Sequence, residues 1–178
     1  MKTEIGEKLQ PPASKRDHLQ GPANAAMTLV EYGDYECPAC GQAYWAIKEV
    51  QRALTGHLRF IFRNFPLTKH PHAEEAAEAA EAAAAQGKFW EMHDVLYENQ
   101  NALQDEDLIK YAENIGLDAG QLAVEIESGA HIGRVREDFD SGVRSGVDGT
   151  PTFFINGARY DGSYDPESLI AALTQAGE

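Results

Sequence analysis

The stretch Thr28–Cys40, TLVEYGDYECPAC, changes structural period within thirteen residues. Thr28 to Tyr32 has the β-branched and aromatic composition of a buried strand. Gly33 and Asp34 end it, and the two cysteines follow at once. From Pro38 the apolar residues Cys40, Ala43, Ile47, Val50 and Leu54 recur at spacings of three and four, which is one face of a helix. Gly56 closes that helix, and Leu58–Phe62 (LRFIF) reads as a second strand. A strand–helix–strand unit of this kind predicts parallel strands joined by a right-handed crossover.

Working outward, the chain turns helical after the second strand. Ala73 to Ala85 is almost entirely Ala and Glu, strong helix formers, with Gly87 as a stop. Further helices are predicted around Phe89–Leu96, Leu108–Ile115 and Ile132–Val143. Residues 69–145 therefore read as an all-helical insertion. The end returns to strands: Thr152–Ile155, then Asn156-Gly157, then Ala158–Tyr160 predicts a hairpin with a two-residue type I′ turn. Ser168–Ala176 predicts a short terminal helix. Residues 25–68 and 146–178 make up the α/β core, and the polar, proline-containing residues 1–24 read as a mobile arm.

The 178 residues carry a formal net charge of −14, with a pI near 4.8 and 43% hydrophobic residues. A core of ordinary size is affordable. The acidic balance argues against nucleic acid and against anionic membrane surfaces, both of which call for clustered Lys and Arg. No stretch approaches the roughly 20 apolar residues that span a bilayer. Met1–Ala26 contains no apolar run of a secretory signal, which places the expected compartment in the cytoplasm, or in the periplasm if an export signal has been removed.

Two cysteines three positions apart make a poor architectural staple, because so short a loop gains little from closure. They make a good reactive pair. Residues i and i+3 at a helix start lie close enough to form a disulfide. Pro38 would occupy the first helical position, where its missing N–H costs nothing. Cys37 would then sit at the N-cap, facing free N–H groups and the positive end of the helix dipole, a placement that lowers a thiol pKa to roughly 3.5–7.5. Cys40 lies on the apolar stripe and should face the core, while Cys37 should be accessible. Cys37 is thus the expected nucleophile and Cys40 the resolving thiol, with Pro38 and Ala39 between them on the substrate side. The same spacing is half a zinc site, which His70 and His72 would complete, although a strand followed by a helix-start proline is not knuckle-like.

The order strand, CPAC, helix, strand, helical insert, Gly149-Thr150-Pro151, hairpin and helix resembles the DsbA-like branch of the thioredoxin superfamily over about residues 18–177. The resemblance implies a thioredoxin fold with an inserted all-helical subdomain. It implies thiol–disulfide exchange with protein or small-molecule thiols and disulfides, with no dissociable cofactor or metal. It further implies that Pro151 is cis and packs against the disulfide, and that Thr150 offers backbone hydrogen bonds to a substrate peptide. Glu31, six residues before Cys37, matches a buried acid of that family that takes the proton of the resolving thiol.

Two departures bear on redox poise. Strongly oxidising relatives carry His where this chain has Ala39, and Glu36 puts a negative charge directly before Cys37. Both predict a weaker oxidant. A redox-inactive binding or chaperone-like module on the same fold is the rival from another class, and replacing Cys37 by Ser would leave its activity intact. Glu74, Glu75, Glu78 and Glu81 read as a solvated helix face, His93 as a packed structural residue, and Tyr35, Tyr44 and Trp45 as core or groove rim.

Overall fold

The structure is a computed structural model that describes residues 7–178. Five strands, β1 (His18–Gln20), β2 (Met27–Gly33), β3 (Leu58–Asn64), β4 (Thr152–Ile155) and β5 (Ala158–Tyr160), form one sheet in the order β1-β3-β2-β4-β5. Among the described residues seven helices accompany them: α1 (Pro38–Ala53), α2 (Ala73–Ala85), α3 (Phe89–Glu98), α4 (Asp105–Asn114), α5 (Ala119–Ser128), α6 (Ile132–Arg144) and α7 (Pro166–Ala176). This is the α/β thioredoxin architecture with helices inserted between β3 and β4.

The chain divides into two compact units. One comprises the residues up to Gly33, Gln42–Arg63 and Ser141–Glu178; the other comprises Asp34–Gly41 and Asn64–Asp140. The insertion drawn as 69–145 thus begins and ends earlier, and it takes the cysteine segment with it. The physical reason lies in hydrogen bonds: Asp34 and Glu36 accept from Leu67, His70 and His72, binding their segment to the helical part.

In the first unit the sheet is buried where its centre strands are apolar on both faces. Every residue of β2 from Thr28 to Gly33 is buried, as are six of the seven residues of β3, all but Arg59. Such strands read as near-continuous apolar runs rather than alternating ones. β2 pairs antiparallel with β4 in the register Glu31↔Phe153 and Tyr32↔Thr152, and helix α7 packs on both. The hairpin turn is as expected: Ile155 pairs with Ala158, and Asn156 and Gly157 have φ of 47° and 84°, the left-handed values a type I′ turn requires.

The reading of residues 1–24 as a mobile arm is corrected from Glu7 onward; its first six residues lie outside the described residues. Residues 18–20 form β1, antiparallel to β3 with Leu19 opposite Ile61. Leu9 is buried, its N–H donates to the Gly157 carbonyl, and Lys8 bridges Ala158. A buried ion pair fixes the middle: Arg63 Nε donates to Asp17 at 2.8 Å, Nη2 to Asp17 at 3.0 Å, and Nη1 to the Tyr32 hydroxyl at 2.9 Å. Three residues make too short a strand for period-two patterning to show, so the sequence reads as irregular there.

In the second unit α2 lies against α3, α4 and α5. Its alanines are buried on nearly every side, since small side chains let neighbouring helices approach closely. Glu78 and Glu81 are buried with them, so the solvated-face reading holds only for the exposed Glu74 and the half-buried Glu75. Glu81 accepts from Asn64 Nδ2 at 2.8 Å, a group that also donates to Asp138. Helix α5 was not anticipated. Only Leu122 is buried on it, leaving little apolar stripe; its signals are the ends, Asp118 accepting from Gln121 N–H and Gly129 at φ 66°.

Candidate active site

The cysteine segment is a short turn leading into α1. Cys37 N–H donates to the Asp34 carbonyl at 3.1 Å, and the Cys37 carbonyl accepts the first helical bond from Gly41 N–H at 3.1 Å. Cys37 therefore stands at the N-cap with Pro38 at the first helical position. Cys37 keeps 6% of its surface and Cys40 none, so the expected asymmetry is present while the expected ready access to Cys37 is not. Pro38 is exposed and Ala39 half-buried, and these two form the surface of the pair.

Three side chains from the helical part hold this turn. Asp34, itself buried, accepts from Glu36 N–H through Oδ1, and from Leu67 N–H and His70 Nδ1 through Oδ2 at 2.8 and 2.7 Å. Glu36 Oε2 accepts from both the backbone N–H and the ring Nδ1 of His72, each at 3.0 Å. The carboxylate beside Cys37 is thus turned toward a histidine. Gln100 Nε2 donates to the carbonyls of Tyr35 and Cys37 at 3.0 and 2.8 Å. Neither the two histidine–carboxylate pairs nor Gln100 was legible as part of the site, because their partners lie more than thirty residues away.

His70 and His72, offered above as a zinc-completing pair, are each engaged with a carboxylate. Among the described residues no group of three or more His, Cys, Asp or Glu side chains converges as metal ligands would. His93 is buried among rings: its Nδ1 lies 3.0 Å from the Tyr35 hydroxyl, and Tyr97, Phe89 and Trp90 pack around it. Tyr44 is buried and Trp45 exposed. An opening of about 590 Å³ adjoins the turn, lined by Glu36, Pro38, His72, Gln100, Leu103 and Asp107 among others.

Glu31, Thr150 and Pro151 belong to the first unit. Glu31 is buried at the centre of β2, opposite Phe153. The Thr150–Pro151 peptide is cis and leads directly into β4, and the Thr152 hydroxyl donates back to the Gly149 carbonyl at 2.7 Å.

Comparison with known proteins agrees with this architecture. Oxidised BdbD from Bacillus subtilis superposes with a TM-score of 0.86 at 22% identity, covering 97% of both chains. A thioredoxin-like oxidoreductase from Silicibacter pomeroyi DSS-3 gives 0.81 at 26% identity, covering 92% of this chain and 93% of that one. The thiol-disulfide exchange protein α-DsbA2 from Wolbachia pipientis gives 0.79 at 21%, covering 91% and 88%. The fold is therefore that of DsbA-type thiol–disulfide oxidoreductases. Among curated relatives, the Na(+)/H(+) antiporter NhaA 1 of Salinispora arenicola is 49% identical over 162 residues, which is 90% of this chain and 25% of that protein. The antiporter NhaA of Herminiimonas arsenicoxydans is 43% identical over 166 residues, 93% of this chain and 26% of that protein. The chain spans about a quarter of the length of these relatives. The thioredoxin family profile matches residues 13–175, nearly the whole sequence, and the chain belongs to the thioredoxin family.

Proposed function

We propose that the protein exchanges disulfides with protein or small-thiol partners through Cys37 and Cys40. The observation that carries this is the placement of Cys37 at the N-cap of α1, with Cys40 buried one turn further on. The Cys37 thiolate attacks one sulfur of a partner disulfide, forming a mixed disulfide and expelling the other sulfur as a thiolate. Cys40 then gives up its proton and attacks Cys37 Sγ. The Cys37–Cys40 disulfide forms, the partner's second sulfur leaves, and two electrons have passed to the partner. Run in reverse, the chain is the oxidant. Glu31 is assigned the Cys40 proton by its family resemblance and its burial. Thr150 and the cis Pro151 are assigned to substrate positioning on the same resemblance. The opening beside Pro38 offers room for chain flanking the substrate cysteine.

Ala39 and Glu36 favour a weak oxidant that works as a reductant, and equilibration against glutathione buffers tests this. A potential below about −230 mV supports that direction, and one above about −180 mV marks a disulfide donor in an oxidising compartment. A pair that forms no disulfide at any poise sinks the assignment. The curated relatives favour one partner class. Because a region resembling this chain makes up about a quarter of Na(+)/H(+) antiporters, a cation–proton antiporter is a proposed partner or host protein. Cys40→Ser stalls the reaction at the mixed disulfide and captures whichever protein Cys37 attacks, so recovery of unrelated proteins alone counts against the antiporter.

A further inference from the structure

Gln100 lies in the loop between α3 and α4, sixty-three residues from Cys37, and its carboxamide nitrogen bonds the nucleophile's turn. A carboxamide nitrogen has two protons. One goes to the Tyr35 carbonyl and the other to the Cys37 carbonyl, at 3.0 and 2.8 Å. The Cys37 carbonyl thereby has two donors, since it also takes the first helical bond from Gly41.

Gly41 supplies the second observation. It sits in the first turn of α1 without a left-handed φ, so backbone freedom does not explain it. A glycine in a helix interior costs about 1 kcal/mol relative to alanine. What alanine would meet here is Gln100: a Cβ on Gly41 would stand 2.1 Å from Oε1, 2.8 Å from Cδ and 3.1 Å from Nε2. The missing side chain is the seat of the carboxamide.

We infer that Gln100 is a positioning residue for Cys37, seated on Gly41 and holding the two carbonyls that flank Glu36. The inference rests on Cys37 being the nucleophile proposed above. The N-cap stabilises a thiolate only while the sulfur stays over the first-turn N–H groups, and stabilisation of this kind falls away within a turn. Cys37 must return to that position after each mixed disulfide. The carboxamide bonds neither thiol in its assigned role; it fixes the backbone from which Cys37 projects.

The test uses the full chain with Gln100→Ala, Gly41→Ala and the double variant. The rate of Cys37 alkylation by iodoacetamide is followed from pH 4 to 10, with mass spectrometry assigning the site, and thermal midpoints are recorded beside it. Gln100→Ala is expected to slow Cys37 alkylation about fivefold at pH 6, the rates converging once both thiols are ionised. Gly41→Ala displaces the carboxamide and gives the same shift. The double variant is no slower than Gln100→Ala alone, and in that background the alanine raises the midpoint. An unchanged pH profile with a lowered midpoint in Gln100→Ala overturns the inference, as do additive effects of the two changes. If wild-type Cys37 alkylates no faster at pH 6 than a free cysteine and forms no disulfide with glutathione, the nucleophile assignment fails and the inference fails with it.

Discussion

Glu78 offers a test of the helical unit that depends on one carboxyl group. It lies on α2, is only 6% exposed, and shares its turn of helix with Glu74 and Glu75. Burial first, and then the charges of Glu74 and Glu75, push its pKa from 4.5 up to about 7, against the pull of Arg136 and with a smaller push from Asp105. A carboxyl whose folded pKa is raised favours the folded state while it is protonated. That stability is complete below about pH 4.5, declines as pH rises, and is gone above about pH 7. At 1.36 kcal/mol per tenfold change, the full interval corresponds to about 3 kcal/mol, of which about 2.5 falls between pH 5 and 8. Solvent screening of the exposed Glu74 makes this an upper bound. Glu78→Gln keeps the shape and removes the ionisation. Urea unfolding of both proteins at pH 5 and pH 8 isolates this group, because every other titration cancels in the difference. The variant is expected to gain up to about 2.5 kcal/mol over wild type on going from pH 5 to pH 8, with no change in the denaturant slope. A difference that stays within about 0.5 kcal/mol across that range refutes the assignment of a buried, late-ionising carboxyl.

The docked N-terminal segment and the late hairpin make their own predictions. Burial of Arg63 works against its charge, yet its hydrogen bonds to Asp17 and to the neighbouring Tyr32 hold its proton more firmly than usual. Asp17→Ala therefore leaves a buried cation without its counter-ion and is expected to cost about 3–5 kcal/mol in urea unfolding, whereas a loss under about 1 kcal/mol would mean that residues 14–20 detach freely. Asn156 combines a φ of 47° with a side chain that accepts from Thr28 N–H and donates to the Ala26 and Ala176 carbonyls. Asn156→Ala is expected to cost about 2 kcal/mol, and Asn156→Gly less, since glycine restores the backbone while leaving the three bonds unmade. Equal losses in the two variants would show that the turn conformation contributes nothing.

What could be read from the amino acids alone follows the distance over which each feature is encoded. The Cys37-Pro38-Ala39-Cys40 turn, the apolar stripe of α1 and the Asn156-Gly157 hairpin are each written within a few residues, and period and turn chemistry suffice to place them. Strand β1 and helix α5 failed because one is three residues long and the other buries only Leu122, so neither has a period to detect. The glutamates of α2 failed for the opposite reason. The Ala/Glu pattern is a strong helix signal, but composition does not say how many neighbours the helix has, and close packing on alanine carries Glu78 and Glu81 inside.

The candidate site divides along the same line, and this bears on how its chemistry is tuned. What supports the proposed reactivity of Cys37, the N-cap and the helix dipole, is local. Everything that adjusts it is remote: His72 on the Glu36 carboxylate, His70 on Asp34, and Gln100 on the Cys37 carbonyl. A charge argument from Glu36 alone treats that carboxylate as facing Cys37 unopposed, whereas two hydrogen bonds from His72 engage one of its oxygens. Replacing His72 by Ala should therefore lower the reactivity of Cys37 at pH 6 by freeing the neighbouring negative charge, and replacing Glu36 by Gln should raise it. If both changes act in the same direction, the pair serves packing of the turn rather than the charge beside the sulfur.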